Sequence, residues 1–169
     1  MVNIQEVKNA FEKHESIRLR KLSDHILAEG ALDNKKSLIR FAVIAHALSN
    51  ILEKTYYTNK KSEWEKFAKR IRENLNSLEK DDTAIDKLES VITELDKSFG
   101  RYADNILHRS KVRKGSNLYA WGITLTFAAS LVGVNEEEIL NQSGQTKMVD
   151  EEGTTIVAEK RLKHLEGLM

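Results

Sequence analysis

Apolar residues recur at spacings of three and four along almost the whole chain, and period-two alternation is hard to find. The pattern predicts helices throughout. Ile4, Val7 and Phe11 share one stripe, which Leu19, Leu22 and Ile26 continue beyond a charged patch, with Gly30 as the expected stop. A second helix is expected to start at Asp33 or Asn34, either of which can cap it. Its face of Leu38, Phe41, Ile44, Ala45, Leu48, Ile51 and Leu52 is broad, and Tyr56 and Tyr57 close it. Ser62, with Glu65 three residues later, makes a capping-box pattern ahead of Trp64, Phe67, Ala68, Ile71, Leu75 and Leu78. A fourth helix starts near Asp82 or Thr83 and reads Leu88, Val91, Leu95, Phe99, Tyr102, Ile106. Those steps pass straight through Gly100, so one long helix to about Val112 is predicted, at a cost of about 1 kcal/mol for the glycine, with a kink at Gly100 as the alternative.

Four amphipathic helices with short connections predict an all-α fold, an antiparallel bundle over residues 1–114. A smaller helical region over 115–169 follows, with Val157, Leu162 and Leu165 marking a short closing helix in its tail. The absence of proline lets helices run long. The absence of cysteine excludes disulfides, thiolate zinc sites, iron–sulfur clusters and cysteine nucleophiles. With 40% hydrophobic and 31% charged residues the chain is globular rather than disordered. A net charge of +1 gives the molecule as a whole no pull toward nucleic acid or membranes. Its lysine-, glutamate- and isoleucine-rich texture resembles that of small helical proteins of prokaryotes, archaeal ones in particular. The first residues lack the apolar core and cleavage site of a secretory signal, so the cytoplasm is the expected location.

The texture changes beyond Lys114. Residues 115–135 hold no charge at all, between Arg109, Lys111, Arg113 and Lys114 on one side and Glu136, Glu137 and Glu138 on the other. The stretch Leu118 to Val134 is just long enough to raise a transmembrane question. Gly122, Thr124, Thr126, Ser130 and Gly133 interrupt it, so the expected reading is an innermost packing layer bent back at Gly133, with no membrane partner.

Within this region Leu125 to Gly144, LTFAASLVGVNEEEILNQSG, resembles a helix-turn-helix unit of the phage-repressor type. Ala129, Gly133 and Ile139 match the family's small residue, turn glycine and second-helix anchor. Asn135 can cap the second helix and Gly144 end it. The resemblance implies DNA binding and transcription regulation. The outward positions would be Asn135, Glu136, Glu137, Leu140 and Asn141, where carboxylates stand in place of the donors and cations that read DNA. Gln142 departs from the apolar residue usual at the last anchor. Candidate nucleic-acid contacts are therefore Arg109, Lys111, Arg113, Lys114, Asn135, Asn141 and Lys147. The basic cluster also has a purely structural explanation, as cations at a helix C-terminus.

Arg101 and His108 fit the Arg-x(4–6)-His spacing of HEPN-type helical ribonucleases, which implies phosphate stabilisation by the arginine and proton transfer by the histidine. Arg20 with His25 and Arg40 with His46 satisfy the same spacing, so the pattern discriminates little. His25 with Glu29 and Asp104 with His108 lie one turn apart without a third metal ligand in view. His46 reads as a core or core-edge histidine bonded to a neighbour. The acids Asp81, Asp82, Asp86 and Glu89, with Glu79, only partly match the magnesium boxes of helical pyrophosphohydrolases and read as helix-start acids. No cofactor and no metal are expected. The leading expectation is a non-enzymatic regulatory or adaptor protein, a homo-oligomer that meets DNA, RNA or a protein partner. A helical ribonuclease and a purely structural bundle dimer are the alternatives.

Overall fold

A chain without proline must end its helices by other means, and four of them here end in the same way. The computed structural model describes residues 4–78, 81, 83–99 and 105–147, the last three by backbone alone. They form nine helices and no strand. These are α1 (Ile4–Glu12), α2 (Ser16–Leu32), α3 (Lys36–Glu53), α4 (Thr55–Asn59) and α5 (Lys61–Leu78), then α6 (Ala84–Ser98), α7 (Ile106–Ala120), α8 (Leu125–Val132) and α9 (Glu136–Lys147). At the ends of α1, α2, α7 and α8 a residue turns left-handed: His14 (φ 57°), Asn34 (φ 52°), Gly122 (φ 100°) and Gly133 (φ 73°). Each is followed by an amide that reaches back five residues. Glu15 N–H donates to Ala10 at 2.9 Å, Lys35 to Gly30 at 2.9 Å, Ile123 to Leu118 at 3.1 Å and Val134 to Ala129 at 3.2 Å. This satisfies carbonyls that the helix leaves over.

These ends correct several sequence expectations. Gly30 does not stop α2; it is buried inside the helix, where a Cβ would come within 3.0 Å of Ile39. Its smallness serves contact with α3. Asp33 and Asn34 do not cap α3, which begins after Lys35 with no side-chain cap bond. The first predicted helix is two, α1 and α2, because His14 breaks it. Ser62 lies inside α5 rather than ahead of it.

The single long helix through Gly100 is not formed either. α6 ends at Ser98, and α7 starts at Ile106 after a left-handed Asn105 (φ 51°). The buried carboxylate of Asp96 accounts for the separate start of α7, since it accepts from Tyr57 Oη at 2.5 Å and from the Ile106 backbone N–H at 3.1 Å. Continued helix would have given that amide a backbone partner; the fold gives it a side chain. Burial and the bond to Asp96 raise the Tyr57 pKa, so the phenol stays a donor.

The core runs along α3, which pairs most extensively with α2 and also meets α6, α7 and α8. Ile39, Phe41, Ile44, Leu48 and Ile51 are almost wholly enclosed. Phe11, Trp64 and Phe67 meet in tilted and edge-on ring contacts between α1 and α5. The expected boundary between residues 114 and 115 falls inside α7, which continues through Gly115 without interruption. The closing helix expected in the tail lies outside the described residues. Among the described residues, no helix is long and apolar enough to cross a membrane.

Gly115 sets how closely α7 approaches α8 and α9. A Cβ there would lie 2.8 Å from Ile139 Cδ1 and 3.0 Å from Val132 Cγ2, whereas one at Gly144 would meet nothing. Gly115→Val is expected to lower stability in urea denaturation by roughly 1–3 kcal/mol through overpacking. Gly144→Ala, in open space within α9, is expected to be neutral or to stabilise by up to about 1 kcal/mol.

Candidate functional site

Successive residues of a helix turn by a fixed angle, so Ser110, Lys114 and Asn117 fall on one face of α7 while Arg109 and Arg113 fall on another. The first face is buried against α2 and α3. Lys114 is only 1% exposed, and its ammonium donates to Asp24 Oδ1 at 2.6 Å. Asn117 Nδ2 donates to the same oxygen at 3.3 Å. Burial pushes the Lys114 pKa down, and Asp24 opposes that shift without cancelling it. One turn away, His46 Nδ1 lies 3.0 Å from Ser110 Oγ and 3.3 Å from Asn50 Nδ2. The His46 pKa is pushed down to about 3, first by burial and then by the charges of Lys114, Arg20 and Arg113. His46 is therefore neutral near pH 7, and of the two expected placements, core or core edge, the half-buried edge position bonded to a neighbour is the one found.

A second polar group surrounds an open cleft of about 510 Å³ between the start of α3, α6, α7 and the end of α8. Arg40 Nε donates to Glu89 Oε1 at 3.1 Å, and its Nη2 to Asp86 Oδ1 at 2.5 Å. The bond to Glu89 is the main reason the Arg40 pKa is raised. Lys111 Nζ approaches the other Glu89 oxygen at 3.9 Å. Lys36 and Ser37 of the first turn of α3 complete the polar wall. Asp86 and Glu89, part of the acidic run, thus bind a guanidinium, while Asp81 caps the start of the next turn through Thr83.

The α8 and α9 helices meet at Gly133 and rest on α7. Ile139 is fully buried, whereas Asn135, Glu136, Glu137, Leu140 and Asn141 are exposed. Glu138 turns inward: one oxygen accepts the Asn135 backbone N–H at 3.1 Å and the other lies 2.5 Å from His108 Nε2. These two bonds, the backbone one foremost, lower the Glu138 pKa. Ser116 and Ser143 join their hydroxyls at 2.9 Å beneath.

The basic cluster is thereby divided. Lys114 is buried, Lys111 enters the cleft, and Arg109 and Arg113 are exposed. It occupies the first and middle turns of α7 rather than a helix C-terminus, so macrodipole compensation does not explain it. Arg101 and Asp104 lie outside the described residues, as does the Lys147 side chain. Of the other arginine–histidine spacings, Arg20 gives its Nη2 to both Glu53 oxygens, at 2.6 and 2.7 Å, and Arg40 is held by Asp86 and Glu89. Among the described residues no three metal-ligating side chains converge. Sequence reasoning passed over Asp24, Asn50, Ser110 and Asn117. The available signal was polar residues at helical spacing within otherwise apolar stripes.

Two measurements test this polar layer. Asp24→Asn leaves the Lys114 ammonium without its counterion and is expected to lower stability by about 1–3 kcal/mol in urea, while Lys114→Met, which removes the buried charge itself, costs less. For His46, both folded and unfolded chains are neutral above pH 6.5. Between 6.5 and about 3 the unfolded chain takes a proton that the folded one refuses, so stability is lost as pH falls. His46→Gln is expected to flatten that loss in melting curves from pH 6.5 to 4. No family model, curated protein or solved structure matches this chain.

Proposed function

We propose that the chain is a non-enzymatic regulatory adaptor that works as a homo-oligomer, its copies meeting through the outer face of α8. The observation that carries the self-association is a surface without charge. Thr124, Thr126, Phe127, Ser130 and Gly133 are exposed, although no charged residue occurs from 115 to 135 in a chain that is 31% charged. Exposed surface of that kind is unusual because water favours ionised side chains, whereas the centre of a protein interface is depleted in them and enriched in aromatic residues. Phe127 and, on the neighbouring helix, Leu140 are each 45% exposed.

The occupant is a second copy. Across a two-fold axis a patch faces itself, and a charged patch would repel its own image. The uncharged face of α8 does not. Duplex nucleic acid fits this region less well. Lys114 is spent on Asp24, Lys111 shares Glu89, and Glu136 and Glu137 stand exposed where phosphates would approach. The neutral, bonded state of His46 gives no ready proton carrier near pH 7, which weighs against a ribonuclease built on it.

Light scattering on the purified chain is expected to give a dimer mass. Phe127→Asp should shift it to the monomer with unchanged helical circular dichroism. A monomer at high micromolar concentration overturns the proposal. Low-salt duplex binding that is lost in Arg113→Ala would favour the nucleic-acid reading instead.

A further inference from the structure

The cleft beside α3 is a second feature of this surface, and it meets the α8 face only at its edge, through Gly133. Its wall carries three cations, Lys36, Arg40 and Lys111, against a single carboxylate, Glu89. Glu89 is already committed, one oxygen to Arg40 and the other toward Lys111, and Arg40 is also held from outside by Asp86. Lys36 is exposed at the rim, so the positive excess is concentrated between Lys36 and Lys111. The first turn of α3 borders this same space through Lys36 and Ser37, with no side-chain cap bond and no acidic residue. Its partial positive charge adds to that of the lysines.

The rest of the lining is mostly apolar, from Val43 of α3, Ile85 of α6 and Leu131 and Val132 of α8. A volume of about 510 Å³ is too large for a lone inorganic anion and lies within the range of small-molecule sites. We propose that the cleft binds a phosphorylated small molecule. Its phosphoryl group would lie between Lys36, Lys111 and the first turn of α3, and its apolar body against Val43, Leu131 and Val132. Charge complementarity selects the phosphoryl end, since an oxyanion can take hydrogen bonds from ammonium, hydroxyl and amide together. The apolar wall selects against phosphate alone.

Isothermal titration at low ionic strength with adenosine 5′-monophosphate as the probe tests this. Saturable binding that weakens with salt is expected, with adenosine silent and inorganic phosphate weaker. Lys36→Ala and Lys111→Ala are each expected to reduce affinity about tenfold, the loss of a charge-assisted contact, while Lys69→Ala on α5 has no effect. Ser37→Asp separates the roles. A carboxylate in the first turn should raise the melting temperature of the protein, because it complements the helix terminus, and should abolish binding of the probe. No saturable binding of the nucleotide, or binding that survives in both Ser37→Asp and Lys36→Ala, overturns the proposal. Equal affinity for phosphate and the nucleotide overturns the role given to the apolar wall.

Discussion

The middle of α3 is enclosed by neighbouring helices, which leaves its half-buried polar residues little water to turn to. Its few polar side chains must be answered by neighbouring elements. Arg40 is answered by Asp86 and Glu89 of α6, and His46 and Asn50 by Ser110 of α7. These demands fix how α6 and α7 lie on α3, and both polar groups described above are their consequence. The cleft exists because Arg40 draws α6 acids to one side of α3 while Lys111 joins them from α7.

The same logic explains why a run of bases in sequence is not a patch in space. Arg109, Lys111, Arg113 and Lys114 are near neighbours along the chain, yet α7 distributes them to a solvent face, a cleft and the interior. Lys114 could be buried only because α2 supplies Asp24 at the matching height, and Asp24 is ninety residues away along the chain. An ionised lysine without that partner would lose its proton or leave the core.

The charge-free block shows the converse. Its buried half, Ala128, Ala129, Leu131 and Val132, fits the expected inner layer, but Thr126, Phe127 and Ser130 face outward. A stretch without charges is compatible with burial and does not demand it. α8 is only eight residues long and lies at the margin of the bundle, so one side must remain uncovered in the monomer.

The sequence by itself determined the helical class, the apolar face of α3, the bend at Gly133 and the burial of Ile139. All of these follow from spacing along one helix or from a single residue's backbone freedom, which are local quantities. Only the tertiary structure decided that α6 and α7 part company, because the alternative acceptor for Ile106 is the Asp96 side chain held in place by Tyr57 from another helix. It alone decided that Gly30 lies within a helix, since the reason is the closeness of Ile39 across the interface. It also decided which lysine is buried and which faces a cleft. Periodicity says that a residue lies on a face of its helix, but the energy of placing a charge there depends on what the opposing helix presents.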